Sequence, residues 1–177
     1  LRKDLKDMAR SRDVQRNSRR KSHIASVAIA GYTNAGKSSL LNRLTGAGVL
    51  VEDSLFATLD PTVRKSHTPS GRNITLSDTV GFVRHLPHQL IDAFKSTLEE
   101  VSDSDLIVHV VDGSDPDPLE QFNSVREVLE EIKANNIPEI IAINKCDRIT
   151  DETMGNLKRN YNYIYLNLIL FLLNLLV

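Results

Sequence analysis

Gly31-Tyr32-Thr33-Asn34-Ala35-Gly36-Lys37-Ser38 reads G-Y-T-N-A-G-K-S, the spacing of a loop that wraps main-chain amides around a phosphate. Gly31 and Gly36 are required where those N–H groups turn inward, a conformation in which side chains clash. Lys37 reaches the terminal phosphates, and the Ser38 hydroxyl is placed to bind Mg²⁺. The helix that begins with Ser38, Ser39 and Leu40 points its positive end at the same anion. Ahead of the loop, residues 24–30 (I-A-S-V-A-I-A) form an apolar run suited to a buried strand. Strand, glycine-rich loop and helix in this order predict a nucleotide-binding α/β domain.

Working outward, Asn144, Lys145 and Asp147 spell N-K-x-D. The Asp147 carboxylate can accept two hydrogen bonds from guanine N1–H and its exocyclic amine, whereas adenine offers no such donor pair. Between the two motifs lies Asp78-Thr79-Val80-Gly81, a D-x-x-G. Asp78 there would hold Mg²⁺ through water and the Gly81 N–H would sense the terminal phosphate. This short pattern recurs by chance in many proteins and gains its meaning from its position. The expected ligand is GTP or GDP.

Residues 63–68 and 72–78 flank Pro69-Ser70-Gly71 and read as an antiparallel hairpin. Residues 105–112 (D-L-I-V-H-V-V-D) and 139–144 (E-I-I-A-I-N) are β-branched strand runs. Between them Leu119, Phe122, Val125, Val128, Leu129 and Ile132 carry a helical period. Crossovers of that length predict a mostly parallel sheet with helices on both faces, ligands lying beyond the carboxyl ends of the strands.

The chain has 177 residues, about one domain. Its single cysteine, Cys146, excludes an internal disulfide and is compatible with a reducing cytosol. A net charge of -1 hides segregation, since residues 1–21 carry nine Lys or Arg against three Asp. The expected division is a basic helical linker segment, 1–22, and a nucleotide-binding domain, 23–177, with an atypical stretch at 160–177. That stretch is rich in Leu, Ile, Tyr, Phe and Asn, and residues 163–168 are the only candidate terminal strand. It is too short for a bilayer, which needs about 20 apolar residues, so no stable membrane insertion is expected. No secretory signal opens the chain, and the missing initiator Met reads as the mark of a fragment or processed form. His109 is expected to be a packed, hydrogen-bonded core residue. His85 and His88 lack the further ligands of a zinc site.

The strings G-Y-T-N-A-G-K-S-S-L, L-F-A-T-L-D-P-T, D-T-V-G-F-V-R-H-L-P and A-F-K-S-T-L-E-E resemble the GTPase domain of the HflX family, ribosome-associated bacterial GTPases related to the Obg group. The likeness covers about residues 10–147, and the basic opening resembles the end of the helical linker that precedes that domain. The resemblance implies a Ras-like fold, Mg²⁺-dependent GTP hydrolysis, a cytoplasmic monomer, and action on the large ribosomal subunit and its rRNA, including separation of stalled ribosomes. Carried onto this chain, it makes residues 55–62 the first switch, with Phe56, Ala57 and Thr58 beside the nucleotide. Thr58 is the chosen Mg²⁺-sensing hydroxyl and Thr62 its alternative. A ribosome-assembly GTPase of Obg or Era type, and a ribosome-binding module that no longer turns over nucleotide, are the competing readings. The family's S-A motif after N-K-x-D is not recognisable here, and Asn167-Leu168 stands roughly in its place.

Phe82 follows Gly81 where Ras-type enzymes carry a glutamine that orients the attacking water. A phenyl ring cannot do so, and slow intrinsic hydrolysis follows. Arg84 and His85 are nearby candidates for a contribution in cis or for contact with a partner. Asn34 resembles the loop asparagine of GTPases stimulated by K⁺; its alternative role is to stabilise the loop backbone. If K⁺ serves, hydrolysis in K⁺ exceeds that in Na⁺ at equal ionic strength, and equal rates count against the cation.

Overall fold

The computed structural model describes residues 24–46, 62–83, 94–160 and 163–165. Elements run β1 (Ala25–Gly31), α1 (Lys37–Thr45), β2 (Thr62–His67), β3 (Asn73–Asp78), α2 (Lys95–Ser102), β4 (Leu106–Asp112), α3 (Pro118–Glu131), β5 (Glu139–Asn144), a 3-10 turn (Cys146–Arg148), α4 (Asp151–Asn160) and β6 (Tyr163–Tyr165). They build one six-stranded sheet in the order β2-β3-β1-β4-β5-β6. Among the described residues only β2 and β3 pair antiparallel, as their short connection demands.

Alternation along β1 explains the layers. Val27 and Ile29 belong to a core shared with Leu40 and Leu41 of α1 and Leu76 of β3. Ala28 and Ala30 face a second core with Leu98 and Val101 of α2 and Val125, Val128 and Leu129 of α3. Because successive strand residues point to opposite faces, a strand buried on both sides must be apolar throughout, which is why residues 24–30 read as a continuous run. The sheet is thus mostly parallel and covered on both faces, as expected.

Turn chemistry sets the boundaries. At the hairpin, Gly71 donates its N–H to the Thr68 carbonyl at 2.8 Å. Asp117 caps α3 by accepting from Glu120 N at 2.9 Å, with Pro118 in the first turn. Of the expected strand at 163–168, residues 163–165 are seen as β6, parallel to β5, and the rest, Asn167-Leu168 included, lies outside the described residues. Helices α2 and α4 are additions that the periodicity did not predict. No helix among the described residues is long and apolar enough to cross a membrane.

Ile107, in β4, is 1% exposed whereas Leu119 is 45% exposed. Ile107→Ala should lower unfolding free energy by about 2–5 kcal/mol in urea titrations, and Leu119→Ala should stay within about 0.5 kcal/mol.

Candidate functional site

The loop after β1 and the loop after β5 emerge at the same sheet edge, and one hydrogen bond joins them. Asn144 donates from Nδ2 to the Ala35 carbonyl at 2.9 Å, in a buried position. Gly36 sits beneath it with φ +98, and a Cβ there would fall 2.2 Å from Asn144 Nδ2. Both the left-handed backbone and the close approach therefore require glycine. Asn34 also lies in the left-handed region, at φ 58, and is exposed. Asparagine tolerates that conformation better than most residues, which fits a role in shaping the loop backbone.

Lys37 is buried, and its ammonium donates to the Tyr32 carbonyl at 2.9 Å. Burial pushes its pKa down to about 8, opposed by the nearby Asp78 charge. Asp78 is fully buried, and Ser38 Oγ donates to its Oδ2 at 2.5 Å. A hydroxyl and a carboxylate this close form two hard oxygen donors, a set suited to Mg²⁺. Ser39 is half-buried on the first turn of α1. Thr62 opens β2 in register with Asp78, while Phe56, Ala57 and Thr58 lie outside the described residues, as do Arg84, His85 and His88.

The D-x-x-G segment is stitched to the phosphate loop. Phe82 N donates to Gly31 O at 3.1 Å and Thr33 N donates to Phe82 O at 2.8 Å. Gly81 packs so closely that a Cβ would lie 2.7 Å from Thr33 Cα and 3.1 Å from Lys37 Nζ. Thr79 turns its hydroxyl to the Ile29 carbonyl at 2.8 Å, and Val80 is fully buried in the core. Only the main chain of these two residues is left for a nucleotide. Phe82 is itself 0% exposed, so its ring belongs to the core and cannot meet an attacking water.

On the base side, Asp147 is exposed, with Arg148 Nε 3.9 Å from its Oδ2. Lys145 adopts φ 56 and pairs through Nζ with Asp112 Oδ2 at 2.8 Å. Asp112 escaped the sequence reading because a carboxylate ending a strand has no distinctive signature. Cys146 donates its thiol to the Ile143 carbonyl at 3.2 Å, and burial raises its pKa, helped by the Asp147 charge. The thiol is therefore a protonated spacer at neutral pH.

A family model described as "50S ribosome-binding GTPase" matches residues 26–145. The chain is 53% identical over 152 residues to GTPase HflX of Caldanaerobacter subterraneus, covering 86% of this chain and 36% of that protein. The chain belongs to the HflX family of GTPases. HflX of Escherichia coli is 46% identical over 147 residues, 83% of this chain and 34% of that protein. The chain thus spans about a third of the length of the curated relatives it matches. Among solved structures, a GTP-binding protein from Sulfolobus solfataricus in complex with GDP is 34% identical with a TM-score of 0.57, covering 89% of this chain and 50% of that one. Era of Aquifex aeolicus, bound to GDP and aluminium fluoride, shares the fold with a TM-score of 0.65 at 22% identity, covering 81% of this chain and 50% of that one.

Gly36→Ala should weaken GDP binding at least about tenfold, since it imposes left-handed strain on a side chain and displaces Asn144. Calorimetric titration checks this, and an undiminished affinity would contradict the geometry.

Proposed function

We propose that this chain binds GTP with Mg²⁺, hydrolyses it slowly to GDP and phosphate, and acts in the cytoplasm on the large ribosomal subunit, in the manner of ribosome splitting or rescue. The observation that carries the guanine-nucleotide reading is the Asn144–Ala35 hydrogen bond, which holds a phosphate loop and a guanine-reading loop as one unit. On this reading residues 23–177 are the GTPase domain and residues 1–22 a basic linker.

The roles follow from placement. Main-chain amides of residues 31–39 and the Lys37 ammonium bind the phosphates, while Asn144, Lys145 and Asp147 read the base. Ser38 and Asp78 would hold the cation, which when bound offsets phosphate charge, and Thr58 would complete its shell from the first switch. The Gly81 N–H senses the terminal phosphate beside Lys37. A K⁺ ion near Asn34 would add a positive charge beside the phosphates.

Two features support an RNA-bearing partner. Arg64, Lys65 and Arg72 stand exposed on the β2–β3 hairpin, and no Asp or Glu occurs between residues 62 and 77. Such a one-signed edge attracts phosphodiester backbones. A solved relative at 25% identity and a TM-score of 0.60, Era, was captured with a magnesium-bound GTP analogue and a segment of 16S ribosomal RNA, with 81% of this chain and 50% of that one covered.

With Phe82 sequestered in the core, alignment of the water has to come from elsewhere. Steady-state hydrolysis by the chain alone should be slow and should rise about 10³- to 10⁵-fold on adding large ribosomal subunits. Vigorous turnover without them would refute the borrowed-alignment mechanism.

A further inference from the structure

We infer that Asp112 is a positioning residue for guanine recognition, acting through Lys145; the inference deepens the guanine-nucleotide reading and rests on it. Asp112 ends β4 directly beside Asn144, its register partner on β5. Its two carboxylate oxygens have separate tasks. Oδ1 accepts from Ser114 N at 3.0 Å and from Ser114 Oγ at 2.6 Å, which fixes the carboxylate's orientation. Oδ2 accepts from Lys145 Nζ at 2.8 Å, with the two side chains only 15% and 22% exposed.

The main chain reinforces the contact. Gly113 donates its N–H to the Asn144 carbonyl at 2.9 Å, and a Cβ at Gly113 would lie 2.8 Å from Ile143 Cγ2. The turn after β4 is therefore pressed against the start of N-K-x-D. Lys145 stands in a left-handed conformation between the end of β5 and the 3-10 turn, and the Asp112 carboxylate fixes where its long side chain ends. With the ammonium engaged by Asp112, what Lys145 offers a planar base is its four-carbon stem, an apolar surface held in one place. Ordering such a stem before the ligand arrives removes an entropy cost that binding would otherwise bear. Asp112 itself needs no contact with nucleotide.

Calorimetry with GDP on the full chain tests the assignment. Asp112→Asn keeps shape but removes charge, and should weaken GDP about tenfold, between the values for exposed and fully buried ion pairs. The loss should persist near about 0.5 M KCl because the pair is shielded from bulk ions. Asp112→Glu, which restores the charge, should recover part of it. Combined with Lys145→Ala, Asp112→Asn should add nothing, because both act through one contact. A purely structural role would instead lower affinity through folding, visible in far-UV circular dichroism, and its effect would multiply with that of Lys145→Ala. Asp112→Asn affinity within about twofold of the parent chain, failure of Asp112→Glu to recover anything, or multiplying penalties would each overturn the inference while leaving the guanine reading intact. Failure of the parent chain to bind GDP would overturn both.

Discussion

A single amide-to-carbonyl hydrogen bond, Asn144 to Ala35, decides whether this fold has one site or two unrelated loops. The residues are 109 positions apart, and nothing local brings them together. What does so is the parallel pairing of β1 with β4 and of β4 with β5, which delivers both strand ends to one edge. The bond is buried, and leaving its groups unpaired costs about 1–3 kcal/mol. The phosphate loop and the base loop therefore hold each other in place before any ligand binds. Gly36 is the geometric condition for this, since any side chain there would occupy the position of the Asn144 amide.

The same economy governs the charges. Lys37 and Asp78 are both buried, and the Asp78 charge moderates the cost of burying the Lys37 ammonium. Burial still wins for Lys37, whose pKa falls to about 8. An anion arriving at the loop thus meets a cation already stripped of water, and the interaction is strengthened by the low local dielectric. Phe82 belongs to this arrangement too. Its ring fills the core under the loop while its main chain bonds to Gly31 and Thr33, so this residue is committed to holding Gly81 against Lys37.

Much of this was legible in the residues alone, for a definable reason. Strands buried on both faces must be continuously apolar, so β1, β4 and β5 announced themselves, and Pro69-Ser70-Gly71 marked the hairpin. The phosphate loop and Asn144 each follow a strand directly, which sets both on a common edge, and the parallel pairing of β1 with β3 brings Asp78 to it as well. Helix α2 was missed because it is short, starts at Phe94 without a side-chain cap, and buries Thr97 and Glu100 along with Leu98 and Val101. Helix α4 did carry a signal: Thr150 accepts from Thr153 N at 3.2 Å, and Asp151 and Glu152 fill the first turn. Asp112 left none, because its significance lies in a partner 33 residues away.

Holding β4 and β5 in register is the last requirement, and the polar contacts sit where they enforce it. Glu139 opens β5, and its Oε1 is bonded at 2.7 Å to Nδ1 of His109, which lies midway along β4 and is 1% exposed. Burial lowers the His109 pKa despite Glu139, so the ring is neutral and its Nδ1–H donates to the carboxylate. Burial would raise the Glu139 carboxyl, but the His109 hydrogen bond and the Arg126 charge outweigh it and hold the group ionised. Phe122 stacks on the His109 ring at 4.9 Å, and Arg126 of the same helix pairs with Glu139, so α3 is anchored over both strands. At the near end stand Asp112 with Lys145 and Gly113 with Asn144. A one-residue slip would turn every side chain of a strand to the other face, breaking both polar clamps together with the apolar packing between them. Apolar burial makes the strands cohere, but it is the directional bonds at Glu139 and at Asp112 that fix Asn144 at the height where Ala35 can meet it.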